Sequence, residues 1–255
     1  MNLYFKLLKK PVFSIDDVDK YYGNKNSSRT AIKRLMHDNM VMKIRNNLYT
    51  CVSGESNEPV ANRFQIASSI TKTSYVSHHS AMEYYGVSNQ VFYDVYVSSD
   101  TIFRDFVFAG YTYRCIVSRN HLGIDHPLYS GGIAVTDLER TVIDCIKDMD
   151  KISGLEEVLD IISSLRSLNE EKLLKYMAVY NSRFLYQKAG YLLSENKGAG
   201  NLSKEFFEEC KAHIGQSKRY LTRDSITGKY VAEWNLVVPM NLYGMKNGDI
   251  SNGII

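Results

Sequence analysis

A chain of 255 residues with 44% hydrophobic and 23% charged side chains can bury a sizeable core, which excludes a disordered or low-complexity protein. Its net charge of +3 conceals an asymmetry: residues 1–50 hold ten Lys and Arg against four Asp and Glu, and the rest of the chain is net acidic. No run reaches the ~18 apolar residues of a membrane span, and Lys6, Lys9 and Lys10 interrupt the start before a signal-peptide core develops, so a cytoplasmic protein without a membrane partner is expected.

Cys51, Cys115, Cys145 and Cys210 lie far apart without a C-x-x-C pair, which predicts reduced thiols packed as small apolar groups. In chain order, "NLYFKLLKK" predicts a short helix with Leu3, Leu7 and Leu8 at helical spacing, ended by Pro11. A second helix starts at Ser14, has Asp16 and Asp17 in its first turn, and stops at Gly23.

The third helix is expected to begin at Ser27 or Ser28. Its apolar side is Ala31, Ile32, Leu35 and Met36, while Thr30, Lys33, Arg34 and His37 point the other way with Arg29 at the margin. "VMKIRNNLYTCV" then alternates with period two around Asn46-Asn47, the composition of a type I′ hairpin turn. That register places Met42, Ile44, Tyr49 and Cys51 on one face and Lys43, Arg45 and Thr50 on the other.

Three short helices followed by a ribbon is the order of a winged helix-turn-helix, in which the third helix enters the DNA major groove and the ribbon touches the flanking backbone. The expected DNA-binding set is Ser28, Arg29, Thr30, Lys33, Arg34, His37, Lys43, Arg45, Asn46 and Asn47, with Lys and Arg supplying phosphate affinity. A single charged helix face is more often merely solvated; the agreement of element order, turn and local charge favours nucleic acid.

"SGESNEP" reads as a linker. After it come a helix over 59–71, a strand at "TSYVS", a helix over "HHSAMEYYG", and strands "VFYDVYVSS" and "FRDFVFAGYTYRCIVS" whose alternation argues for an antiparallel sheet. "GIAVT" leads into a helix begun at Thr136 by a T-x-x-E box, with Arg140 and Asp144 an exposed ion pair. Helices over 155–165, 169–180, 182–196 and 203–214 follow; "YVAEWNLVVP" is a closing strand and "YGMKNGDISNGII" a loosely held tail.

No convergent chemistry emerges from this pattern, so no catalytic residue, metal ligand or cofactor is expected. His79 and Glu83 are spaced to share a helix face, but no third ligand is indicated, and His78 and His79 read as hydrogen-bonded helix-start histidines. Asp137, Glu139, Asp144 and Asp148 read as a solvated, charge-balanced helix surface, and no phosphate-binding glycine loop or nucleophile elbow occurs.

At "IKRLMHDNMVMKIRNNLYTCV" the chain resembles the winged helix of the AbiEi family of antitoxins. "YVSHHSAMEYYGV", "IAVTDLERTVIDCI", "KAGYLLSE" and "WNLVVP" resemble later blocks of that family, in the same order, to about Val238. Asn39 and Asn47 stand where the family usually has glycine, and asparagine tolerates positive φ better than other side chains.

The resemblance implies a repressor that binds inverted repeats in double-stranded operator DNA and counteracts a co-encoded nucleotidyltransferase-like toxin. The fold expected is α+β: a winged helix-turn-helix over 1–53, then a mixed α+β antitoxin domain over 59–245 with a largely helical C-terminal half, and a tail over 246–255. Two readings compete: a DNA-targeted nuclease or nucleotidyl-processing enzyme, and a ligand-responsive transcriptional regulator with its sensor in the C-terminal part.

Overall fold

In the computed structural model, which describes residues 3–87, 92–152, 154–196, 201–240 and 242, the N-terminal elements follow from their caps. After α1 (Leu3–Leu7), the Ser14 hydroxyl accepts from Asp17 N–H and Asp17 accepts from Ser14 N–H, and this reciprocal box fixes the start of α2 (Ile15–Tyr22). Gly23 ends α2 at φ 64°, where a side chain would be strained. Asn24 then caps α3 (Lys25–His37) by accepting from Asn26 and Ser27 N–H.

The start expected at Ser27 or Ser28 therefore lies earlier, because Asn24 in extended backbone already satisfies the orphan donors. Asn39, at φ 55°, turns the chain into an antiparallel ribbon of β1 (Val41–Arg45) and β2 (Leu48–Cys51). Phe13 adds one bridge to Tyr49. Leu7, Phe13, Val18, Ile32, Leu35, Val41, Tyr49 and Cys51 form the core beneath these elements.

The ribbon departs from strict alternation. Lys43 pairs with Tyr49 but Arg45 pairs with Leu48, so a bulge falls between them and re-aims the strand end. Asn47 takes positive φ (57°) and Asn46 does not, so the turn is not type I′. Thr50, expected on the outer face, is fully buried and accepts from Ala61 N–H.

Ser53–Pro59 does not behave as a linker: Ser53 N–H donates to Glu58 O and Val52 bridges Pro59, closing a tight loop. The compact units of the chain divide elsewhere. Met1–Ser80 with Phe92–Thr136 forms the first, and Ala81–Val91 with Asp137–Ile255 the second, whereas the sequence suggested a division at 53–59.

The first unit also holds α4 (Arg63–Ser69) and a six-stranded sheet of order β5-β6-β4-β3-β8-β7. Its strands are β3 (Tyr75–Val76), β4 (Asp94–Ser99), β5 (Phe106–Phe108), β6 (Tyr111–Val117), β7 (Ile124–Asp125) and β8 (Val135–Thr136). α4 is shorter than the expected 59–71 because Pro59 is held extended against Val52 and Asn62 supplies the cap. β5–β6 pairs antiparallel, as the alternation argued, but β4–β6 and β3–β8 are parallel, so the sheet is mixed.

α5 (His78–Tyr84) spans the boundary between the units, and the second continues with α6 (Leu138–Lys147), α7 (Leu155–Ser164), α8 (Glu170–Tyr180), α9 (Arg183–Ser194) and α10 (Lys204–Ala212). Val142, Ile146, Val158, Leu173, Met177, Leu192, Phe206 and Trp234 are central in its core. Gly190 is required there: a Cβ would sit 2.2 Å from Trp234 Cζ3.

α6 is capped by Asp137, one residue past the expected Thr136, because the Asp137 carboxylate accepts from Arg140 N–H while Thr136 is still in β8. The segment expected as one closing strand is a hairpin of β10 (Lys229–Val231) and β11 (Leu236–Val238), reversed at Asn235 with φ 48°. β9 (Arg219–Tyr220) joins β11 in parallel. The expected tail, 243–255, lies outside the described residues; among those described, no helix is long and apolar enough to cross a membrane.

Candidate nucleic-acid interface

α3 buries Ile32 and Leu35 and leaves Arg29, Thr30, Lys33, Arg34 and His37 exposed, the separation its 100° periodicity requires. Thr30 donates its hydroxyl to Asn26 O, Arg34 lies 4.0 Å from Asp38, and His37 Nδ1 is 3.2 Å from the same carboxylate. Ser28 does not join this face. It is fully buried, donates to Asn24 O and sits 3.1 Å from Asp19 Oδ1, because its position points with Ile32 and Leu35 toward α2.

The basic surplus of the first fifty residues is partly consumed locally. Asp17 takes both Lys10 (2.7 Å) and Lys20 (3.1 Å), and Asp16 lies 3.4 Å from Lys25. Burial pushes the Asp17 carboxyl up, but hydrogen bonds from Lys10, Ser14 N–H and Lys20 outweigh it and hold the group well below the usual carboxylate range. Arg29, Lys33 and Lys43 have no ion pair among the described residues, and neither have Lys6 and Lys9 ahead of α2, so three of the uncompensated cations lie on α3 and the adjoining strand.

On the ribbon, Lys43 and Asn46 are exposed. Asn47 is exposed too, but its Oδ1 accepts from Ile15 N–H (2.9 Å), tying the turn to the start of α2. Arg45, expected to face outward, turns back: its guanidinium lies 5.4 Å from the Phe103 ring and 5.1 Å from the Phe106 ring, and Nη1 is buried. The bulge before Arg45 accounts for this. Arg45 is thus an anchor of the ribbon to the sheet, a role that needed the distant aromatics to be visible.

Other constellations resolve into packing. His78 Nδ1 meets Ser77 Oγ at 2.8 Å and His79 Nε2 meets Asp94 O at 3.1 Å, both histidines being buried and hydrogen-bonded, as expected of helix-start histidines. Asp137, Asp144 and Asp148 are buried rather than solvated: Asp137 accepts from Lys172 (3.0 Å) and Tyr176 (2.6 Å), Asp144 from Arg140 (2.8 Å), and Asp148 pairs with Lys147 and Lys151. Elements more than thirty residues away supply Lys172 and Tyr176, so helix periodicity alone could not show it.

Burial pushes the Cys51 thiol up to about 11 and, with the Glu209 charge, the Cys210 thiol to about 12, which keeps both protonated at neutral pH. Among the described residues no group of three or more His, Cys, Asp or Glu side chains is placed to hold a metal ion.

No family model and no curated protein matches the chain. Among solved structures it is similar to the RV2827C protein from Mycobacterium tuberculosis, with a TM-score of 0.57 at 12% sequence identity, over 92% of this chain and 89% of that one. A likeness at that identity shows a shared α+β fold alone.

Proposed function

We propose that α3 and the ribbon of the first unit form a winged-helix surface that binds double-stranded operator DNA. On this reading the chain is an antitoxin resembling the AbiEi family, repressing its own operon and counteracting a nucleotidyltransferase-like toxin encoded beside it. The observation that carries the reading is the set of exposed cations without ion-pair partners, Arg29, Lys33 and Lys43, on two elements consecutive in the chain. Phosphate neutralisation supplies affinity from such groups, while Thr30, Arg34 and His37 are exposed on the same helix for base edges.

A gel-shift titration against the DNA upstream of its own reading frame tests the DNA half. Lys33→Ala with Lys43→Ala weakens binding on every sequence and reduces the salt slope by about 0.9 for each phosphate that is no longer neutralised. Lys204→Ala, exposed on α10, leaves it unchanged. Equal affinity of parent and double variant refutes the surface. Growth rescue on co-expression with the neighbouring frame tests the antitoxin half separately.

A further inference from the structure

Tyr113 on β6 is fully buried, and its hydroxyl has no hydrogen-bond partner. Buried hydroxyls are normally satisfied, so an orphan of this kind marks a place where an acceptor is missing. Tyr113 lines an open cleft of about 400 Å³ in the first unit, together with Pro59, Arg63, Phe64 and Tyr111. The Arg63 guanidinium lies 4.8 Å from the Phe64 ring and 4.9 Å from the Tyr111 ring.

We infer that this cleft is a binding site for a small aromatic carboxylate, whose acid group accepts from Tyr113 Oη and whose ring packs on Tyr111, Phe64 and Pro59. Three features select that class. The volume suits one ring with a short substituent; the orphan donor needs an acceptor; and the Arg63 charge favours an anionic one over an amide. Glu58 stands at the exposed rim, so the acid group lies at the inner, Tyr113 end. The hydroxyl itself is shielded from solvent, so the proposed contact requires the cleft floor to shift locally on binding.

The site is connected to the ribbon. Tyr113 stacks on Phe106 with centroids 4.8 Å apart and planes at 10°, and Phe106 also carries the Arg45 guanidinium. An occupant at Tyr113 therefore reaches the strand that carries Lys43 through Phe106 and Arg45. Occupancy of the cleft does not depend on DNA binding.

Benzoate is the probe, with benzamide and benzylamine as its neutral and cationic counterparts, followed by NMR on the full chain. Benzoate is expected to shift the Tyr111, Tyr113 and Arg45 Nε–H resonances saturably, with at least tenfold weaker binding of benzamide and none of benzylamine. Tyr113→Phe removes only the orphan hydroxyl; it is expected to fold with unchanged or higher stability and to bind benzoate at least tenfold more weakly. Arg63→Gln is expected to abolish the preference for benzoate over benzamide. No benzoate binding to the parent, equal binding by Tyr113→Phe, or marked destabilisation by Tyr113→Phe, which would reveal a protein partner for the hydroxyl, overturns the assignment.

Discussion

Arg140 and Asp144 stand one helical turn apart on α6, the geometry of an ordinary surface pair, yet their side chains are 0% and 3% exposed and joined at 2.8 Å. Were the pair exposed, deleting it would cost about 0.3–0.5 kcal/mol. Removing one partner of a buried pair instead leaves a desolvated charge and costs about 3–5 kcal/mol. Arg140→Ala strands the Asp144 carboxylate with the Tyr180 hydroxyl and also removes the cation over the Tyr180 ring. The assay is built in, because the single tryptophan, Trp234, is buried in the same unit and reports its unfolding. With an m-value of about 2 kcal/mol/M, the urea midpoint falls by roughly 2 M. Arg140→Met with Asp144→Leu, which removes both charges while keeping bulk, recovers most of the loss. A loss below about 1 kcal/mol for Arg140→Ala, the surface value, or a double variant as damaged as the single, refutes the buried-pair reasoning.

Burial lowers the Lys188 ammonium to about 8, against a reference of 10.5, and Nζ donates to Lys147 O. The unfolded chain holds that proton more tightly, so this group alone adds about 3 kcal/mol of stability as pH goes from about 8 to 10.5. The buried Cys51 and Cys210 thiols act in the opposite sense over the same range, and the check is therefore the difference in urea midpoint, in which the parent gains on Lys188→Met as pH rises. Gly190→Ala forces a methyl group against the Trp234 ring and costs about 1–3 kcal/mol through overpacking, visible as a lower urea midpoint with a red-shifted native Trp234 emission. Asn47→Ala loses the bond to Ile15 N–H and strains a residue at φ 57°, about 2–3 kcal/mol together, whereas Asn47→Gly loses only the bond, about 1 kcal/mol; thermal unfolding followed by circular dichroism gives the order parent, Gly, Ala.

What was legible in the sequence is what is decided within a few residues. The Ser14 box, the Gly23 stop, the apolar side of α3 and the spans of α7 to α10 all follow from side chains that meet their partners inside one or two turns. What was not legible depends on partners brought from afar. The parallel pairing of β4 with β6 cannot be read from alternation, since β4 is buried at every position from Val95 to Ser99 and its inward serines deny it the continuous apolar run of a parallel strand. The burial of α6 on its charged side required Tyr176, Tyr180 and Lys172 from α8. The Tyr113 cleft combines α4 with β6, segments about fifty residues apart, and no local motif announces it.

The same distinction reshapes the candidate interface. Counting Lys and Arg over residues 1–50 overstates the surface charge, because α2 supplies Asp16 and Asp17 that take up Lys10, Lys20 and Lys25, and Arg45 is turned against Phe103 and Phe106. The charge that remains uncompensated is smaller and, apart from Lys6 and Lys9, lies on α3 and at Lys43. The ribbon bearing Lys43 is held at both sides of its turn, by Asn47 on α2 and by Arg45 on the sheet aromatics. On the proposed DNA-binding reading, a cation on a restrained strand loses less conformational freedom when it meets a phosphate than one on a free hairpin, so the anchors would raise affinity without touching DNA. Arg45→Ala should therefore act on binding differently from Lys43→Ala, weakening it through a looser ribbon while leaving the number of phosphates neutralised, and hence the salt slope, as it was.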